Sequence, residues 1–289
     1  MSTILLTGAT GFLGHHLVRK LLDGGNTVVA ILGRPEDKAN TLPSHPCLTV
    51  YPCCDLQDIR LNHIDTLIHT AFSRGENLAG LAASISFTRE IIDLVNNRDI
   101  DSIINISSQG VYKKMQPGEM ADEAGIVEPG TAYGLAKWAV ENMLAIGCHK
   151  PYTSIRMASL STNARFLDFF VRSVTTNTGI QVTAPKQYAS IMDVTDAVAG
   201  IQAVASISPE QRSTLYNLGP GVQYSILEYA QMVIKRGQSF GFPPVDLTVT
   251  DNGSNFAICM DCARLQEQTG WKPATSAEMM IDKMFNKGL

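Results

Sequence analysis

Cysteine is scarce in this chain, with six in 289 residues. That density excludes a disulfide-stapled scaffold. Cys47, Cys53 and Cys54 fall close together, and Cys259-Met260-Asp261-Cys262 is a lone C-x-x-C. A structural zinc site needs four ligands, and no second pair has suitable spacing. The thiols therefore read as reduced and mostly buried, and no metal is expected. Charge is sparse too: 17% of residues are charged and the net charge is −4. Such a balance offers no electrostatic footprint for nucleic acid. No run of like charges points to a membrane surface, and no apolar segment approaches the roughly 20 residues that span a bilayer. The opening Met1-Ser2-Thr3-Ile4-Leu5-Leu6 lacks the basic region and long apolar stretch of a secretory signal, so the expected location is cytoplasmic. Internal repeats, low-complexity tracts and Pro/Gly/Ser-rich linkers are also missing.

What is present is alternation. Apolar residues make up 45% of the chain, an ordinary globular balance. Short β-rich runs at Thr3 to Thr7, Thr27 to Leu32, Cys47 to Tyr51, Ile64 to Thr70, Ser102 to Ser107 and Thr153 to Met157 alternate with helical patterns. The helices are Phe12 to Leu22, a long one ending near Asn97, and Thr131 to Ile146, which Thr131 is placed to cap. This is the signature of βαβ units around a parallel sheet. Beyond about residue 158 the alternation loosens. Helices are expected at Phe166 to Thr176, Asp193 to Val204, Ser225 to Lys235 and Ser276 to Phe285, with short strands near Gln181, Leu215 and Leu247. The expected division is a dinucleotide-binding domain over 1–158 and a smaller substrate-binding lobe over most of 159–289, with some segments returning to the sheet.

The first strand runs into Thr7-Gly8-Ala9-Thr10-Gly11-Phe12-Leu13-Gly14. The spacing G-x-x-G-x-x-G between a strand and a helix suits a pyrophosphate. Glycine permits the tight turn and the close approach, and the helix N-terminus offers N–H donors and a positive dipole end. Gly8, Thr10, Gly11, Phe12, Leu13 and Gly14 are therefore expected cofactor contacts. After the second strand comes Gly33-Arg34-Pro35, with no acid until Glu36. An acid there would accept from the ribose 2′-OH, whereas an arginine pairs with a 2′-phosphate. Arg34 points to NADP, with NAD as the alternative. Asp55, with Leu56 beside it, follows the third strand. Its carboxylate either accepts from the adenine amino group or caps the next turn. His69-Thr70-Ala71 ends the fourth strand, where small residues let the backbone skirt the cofactor.

Tyr133-Gly134-Leu135-Ala136-Lys137 is Y-x-x-x-K on a helix, which puts both side chains on one face. A phenol near its usual pKa of about 10 is a poor base at neutral pH. The Lys137 ammonium is expected to lower it, so that Tyr133 exchanges a proton with a substrate oxygen while hydride moves to or from a nicotinamide. Lys137 is also suited to bond the nicotinamide ribose. Ser108, in Ser107-Ser108-Gln109-Gly110-Val111-Tyr112 at the end of the fifth strand, sits where ligands bind in open α/β sheets and is placed to orient the substrate oxygen.

With these residues in hand, the chain resembles the extended short-chain dehydrogenase/reductases, specifically the NAD-dependent epimerase/dehydratase family acting mainly on nucleotide sugars. The matching residues are Thr7 to Gly14, His69 to Ala71, Ser107 to Tyr112, the Glu123 to Pro129 stretch, Tyr133 with Lys137, Ile191 to Asp196, Tyr216-Asn217-Leu218-Gly219 and Gly270-Trp271-Lys272-Pro273. The resemblance implies a doubly wound parallel Rossmann sheet with a smaller α/β substrate-binding lobe at its C-terminal edge. It implies Ser108, Tyr133 and Lys137 as the catalytic set, Gly8, Gly11 and Gly14 at the pyrophosphate, Asp55 at adenine, and a homodimer built on the Tyr133 helix.

The chain also departs from the family pattern. Gln109-Gly110 replace the Asp-Glu pair of the dehydratases, which argues against a sugar 4,6-dehydratase. Arg156 is followed by Met157-Ala158-Ser159-Leu160-Ser161 instead of an Asn and a Tyr-Gly-Pro-like run. Ala189 stands where an arginine is usual, and none occurs near Asn255 to Ala257. Arg165, Arg172 and Lys186 are the candidates to replace the missing diphosphate ligands. The leading expectation is an NADP-dependent reductase of a keto group on a nucleotide-linked deoxysugar. An epimerase that retains NAD and a non-catalytic dinucleotide sensor are the alternatives. His15-His16 point in different directions on one helix and read as no metal pair. Met279, Met280 and Met284, and Phe166, Phe169 and Phe170, read as core packing.

Overall fold

The structure, a computed structural model, describes residues 2–32, 41–51, 56, 62–75 and 77–288. In chain order the first half comprises β1 (Thr3–Thr7), α1 (Phe12–Asp23), β2 (Thr27–Ile31), β3 (Leu48–Tyr51), β4 (Thr66–His69), α2 (Leu78–Asn97), β5 (Ile103–Ser108), α3 (Ala132–Gly147) and β6 (Tyr152–Met157). The second half comprises β7 (Ser159–Leu160), α4 (Arg165–Thr175), β8 (Ile180–Val182), β9 (Tyr188–Ala189), β10 (Ile191–Met192), α5 (Val194–Ala205), β11 (Leu215–Leu218), β12 (Tyr224–Ser225), α6 (Ile226–Ser239), β13 (Leu247–Val249), α7 (Ala263–Thr269) and α8 (Ala277–Gly288).

Seven strands form one sheet in the order β3-β2-β1-β4-β5-β6-β11. Every pairing in it is parallel. The expected doubly wound parallel sheet is therefore present. Its central strands are near-continuous apolar runs because helices cover both faces. On one face, Leu13, Leu17, Val18 and Leu21 of α1 repeat at helical spacing and pack with Val198 and Ile201 of α5. On the other, Ile91, Ile92 and Val95 of α2 meet Val140 and Leu144 of α3. The chain runs outward from β1 to β3, then returns beside β1 as β4. That reversal is the switch point at which such sheets bind ligands.

A third core gathers Leu167 and Phe170 of α4, Tyr229 and Val233 of α6, and Ile281 and Phe285 of α8. Phe166 packs edge-on against Phe170 and Tyr229, whereas Phe169 is half exposed. Met280 is buried and Met279 exposed. β11, from this half of the chain, is the seventh strand of the main sheet. Several boundaries are tighter than the sequence suggests, β2 ending at Ile31, β4 beginning at Thr66 and β5 at Ile103 among them. β3 begins at Leu48, and β4 ends at His69 because the Thr70 hydroxyl turns back to donate to the Thr7 carbonyl at 2.7 Å. Among the described residues, no helix is long and apolar enough to cross a membrane.

Candidate active site

The turn after β1 is shaped by backbone sterics. Gly8 has φ of 73°, and a Cβ there would lie 2.8 Å from the Ala71 nitrogen and from Thr70 Oγ1. A Cβ on Gly14 would come within 2.1 Å of the Gly8 carbonyl oxygen. α1 can approach β1 this closely only without that carbon. Gly11 is the N-cap of α1 and brings no capping side chain. The first amides of the helix thus keep their capacity to receive an anion.

A cavity of about 440 Å³ opens over this turn. The expected contacts Gly8, Thr10, Gly11, Phe12, Leu13, Gly14, Thr70 and Ala71 all line it, together with Phe72 and Arg74. Leu56 is not in its wall. It is buried among Val29, Ile31 and Leu67 in the core beneath the sheet. Arg34 and Asp55, expected at the ribose and the adenine, lie outside the described residues.

His69 underpins the cavity from a fully buried position. Its Nδ1 lies 2.8 Å from Thr7 Oγ1 and its Nε2 lies 3.0 Å from Thr88 Oγ1. The Thr88 hydroxyl donates to the Ser84 carbonyl. It therefore accepts from Nε2–H, and Nδ1 accepts from Thr7, an assignment made from the network. Burial first, and the Lys137 charge second, push the imidazole down to about 3. His69 stays neutral and ties β1, β4 and α2 together.

A second cavity of about 490 Å³ adjoins the first. Ser108, Tyr133 and Thr131 line it, so the structure brings the expected serine and tyrosine to one chamber. Thr131 caps α3 as expected, its hydroxyl accepting from the Gly134 amide at 3.0 Å. Gly134 is needed there because a Cβ would lie 2.3 Å from the Gly110 carbonyl oxygen. That contact packs the start of α3, and Tyr133 with it, against the turn that follows Ser108. Ser108 Oγ accepts from the Gly110 amide at 3.1 Å, which fixes its rotamer.

Lys137 is only 3% exposed. Its ammonium donates to the Ile106 carbonyl at 2.8 Å and stands 3.8 Å over the Phe72 ring centre. It lies 5.8 Å from the centre of the Tyr133 ring, and Phe72 meets Tyr133 edge-on. The electrostatics differ from the sequence expectation. Burial pushes the Tyr133 phenol above its ordinary pKa, and the group that opposes the rise is Arg74. Burial likewise pulls Lys137 down to about 7, against the pull of Glu141 and with a push from Arg74. Loss of hydration outweighs charge in this protein-lined chamber.

Beneath the site lies a polar brace that sequence reading missed. Glu141 accepts from Ser107 Oγ at 2.5 Å and from Arg156 through three contacts, Nε to Oε1 at 3.0 Å and to Oε2 at 3.2 Å, and Nη2 to Oε2 at 2.6 Å. The Arg156 guanidinium lies 4.6 Å over the Tyr112 ring, and the Tyr112 hydroxyl donates to Asn217. This chain of contacts locks α3 to β5, β6 and β11. One signal was available: Glu141 lies four residues after Lys137, on the same helix face. Of the three candidate anion ligands, Arg165 lines the second cavity. Arg172 does not, and Lys186 is paired with Asp251 at 2.8 Å. Ala189 leaves its position without a cation. The second cationic wall residue is Arg74, from the loop after β4.

A profile of the NAD dependent epimerase/dehydratase family matches residues 4–219. Among curated proteins, a dTDP-glucose 4,6-dehydratase of Streptomyces griseus is 25% identical over 94% of this chain and 89% of its own length. A UDP-glucose 4-epimerase of Caenorhabditis elegans is 24% identical over 98% of this chain and 96% of its own. Among solved structures, a UDP-glucuronic acid 4-epimerase from Bacillus cereus, in complex with UDP-glucuronic acid and NAD, superposes with a TM-score of 0.81 over 98% of each chain at 18% identity.

Proposed function

The chain belongs to the NAD dependent epimerase/dehydratase family, and we propose that it transfers hydride at a carbonyl or carbinol carbon of a nucleotide-linked sugar, with Tyr133 as the acid/base. The observation that carries this reading is the shared chamber of Ser108 and Tyr133, adjoining a glycine-built cavity at the sheet's switch point. A Cβ at Gly8 or Gly14 would collide with backbone there, which fits a dinucleotide pressed against the turn. Gly8, Gly11 and Gly14 with the first amides of α1 would hold its pyrophosphate, while Thr10, Phe12, Leu13, Thr70 and Ala71 would wall it. When bound, the dinucleotide supplies or accepts the hydride.

The chain's own residues handle the oxygen and its proton. Ser108 orients the substrate oxygen by a hydrogen bond. In the reductive direction the Tyr133 hydroxyl gives its proton to that oxygen as hydride reaches the carbon, leaving an alcohol and a phenolate. The oxidative direction reverses both transfers. A phenol held above its ordinary pKa is protonated at neutral pH, so the proton that reduction needs is in place before hydride arrives. Lys137 spends one of its three donors on Ile106, so two are left for ribose hydroxyls.

We read the direction as reduction with NADPH. Arg34 supports the 2′-phosphate, and Gln109-Gly110 lack the acids of a dehydratase. An epimerase with retained NAD is the second reading, favoured by the UDP-glucose 4-epimerases among the relatives. A sensor would have no use for the assembled Ser108, Tyr133 and Lys137. The substrate lobe is assigned to 159–289, the location to the cytoplasm, and a homodimer contact to the α3 face that exposes Leu135, Trp138 and Ile146. Cofactor identity tests the reading. The purified protein is denatured, released dinucleotide is assayed, and the emptied protein is titrated with NADPH and NADH. Little bound cofactor and a clear NADPH preference support the reductase. Tightly held NAD overturns the Arg34 argument and leaves the epimerase.

A further inference from the structure

The chamber that holds Tyr133 has an uneven charge distribution. Two guanidinium groups, Arg74 and Arg165, line it, and among the described residues no Asp or Glu does. They come from separate parts of the chain, Arg74 from the loop after β4 and Arg165 as the first residue of α4. Both are exposed, and neither is paired with a carboxylate among the described residues, so their donors are free to meet a ligand. Asn163 joins the two segments. Its Oδ1 accepts from Arg74 Nη1 at 2.5 Å, and Asn163 itself stands two residues before Arg165. The start of α4 adds to the same field, because Ala164 provides no side-chain cap and the helix's positive end is left open. Two cations and an uncapped helix start in one chamber give it a positive potential that favours an anion, most strongly once a ligand excludes water.

Resting on the reading of the site as a nucleotide-sugar oxidoreductase, we infer that Arg74 and Arg165 form an oxyanion-binding pair, and that the sugar of the substrate carries a carboxylate in the same chamber as the carbon that exchanges hydride. Arg74 is the specificity-determining member. It lines both cavities, so its guanidinium stands at the seam between cofactor and substrate. It lines the same chamber as Tyr133, and its charge opposes the rise of the phenol's pKa. The planar fork matches two oxygens of a carboxylate or phosphate, and one of its five donors is already fixed on Asn163.

The test uses the protein saturated with its nicotinamide cofactor, titrated calorimetrically with UDP-glucuronic acid and UDP-glucose. If the oxyanion is a sugar carboxylate, UDP-glucuronic acid binds more tightly, and Arg74→Gln or Arg165→Gln weakens it roughly 10- to 100-fold while barely touching UDP-glucose. If both ligands bind alike and both weaken by that factor, the pair serves the diphosphate and the carboxylate inference is overturned. Arg74→Lys restores part of the loss in either case, because charge is kept and the fork is not. Affinities that stay within about twofold in both variants overturn the pair. Should neither UDP-sugar bind the wild type, dTDP-glucose is titrated too, and no binding of it fails the nucleotide-sugar reading on its own. Free glucuronate then decides the pair: binding that Arg74→Gln abolishes upholds it, and no binding rejects it. Cofactor affinity and thermal midpoint, measured on each variant, separate these outcomes from a folding defect.

Discussion

The Lys137 ammonium lies 2.8 Å from the Ile106 carbonyl oxygen and 5.8 Å from the centre of the Tyr133 ring, with almost no access to water. Burying a cation without a paired carboxylate is costly. The folded protein holds this group at about 7, whereas the unfolded chain holds it near its reference value of about 10.4. Between those two values the unfolded state binds the extra proton, so Lys137 penalises folding most below pH 7 and progressively less as pH rises toward 10. Lys137→Met should therefore raise the thermal midpoint of the cofactor-free protein. The gap to wild type should be widest at and below neutral pH and should shrink toward pH 10. The same variant should lose activity, a trade of stability for function. A gap that widens with pH would contradict the burial argument.

Glu141 and Arg156 make the opposite case, since each is buried and each needs the other. Their side chains are 10% and 5% exposed. Glu141→Gln leaves the guanidinium buried without its counter-charge, which costs about 3–5 kcal/mol. For a chain of this size that corresponds to a fall in thermal midpoint on the order of 10 °C. Differential scanning calorimetry reads it directly. A fall of only a degree or two would mean that the brace is not holding α3 to the sheet.

Gly14→Ala addresses the cofactor turn. The added carbon would meet the Gly8 carbonyl oxygen at 2.1 Å, and because that oxygen is backbone and a Cβ has no rotamer to escape by, α1 must move. We expect overpacking of about 1–3 kcal/mol and a cofactor affinity reduced at least tenfold, about 1.4 kcal/mol or more. Fluorescence titration with NADPH and NADH measures the second effect. Unchanged affinity would separate the glycine turn from cofactor binding.

Much of this was legible in the sequence, for physical reasons. The sheet strands are short apolar runs with turns between them, and the glycine triplet is a local steric requirement at Gly8 and Gly14. The spacing of Tyr133 and Lys137 puts them on one helix face, and it was Ser108 at the end of the fifth strand that singled the pair out. Other features depend on which loops meet in space. Arg74 and Phe72 reach Tyr133 only because β4 ends beside the start of α3, a long-range pairing that no local pattern encodes. The direction of the Tyr133 shift was misread for the same cause. Proximity in sequence suggested a helpful ammonium, whereas burial sets the sign and Lys137 is turned onto Ile106 and Phe72. Leu56 next to Asp55 reads as a cofactor contact but sits in the core below the sheet.

The most direct test of the central claim is Tyr133→Phe, which removes one oxygen and keeps the edge-on ring contact with Phe72. Nicotinamide absorbance would be followed with NADPH and a dTDP- or UDP-linked 4-keto sugar, alongside cofactor titration of the same protein. Turnover should fall by about 10²- to 10⁴-fold, the usual contribution of a positioned acid/base, while cofactor affinity and thermal midpoint stay at wild-type values. Full turnover in Tyr133→Phe would contradict the assignment of the acid/base to this residue.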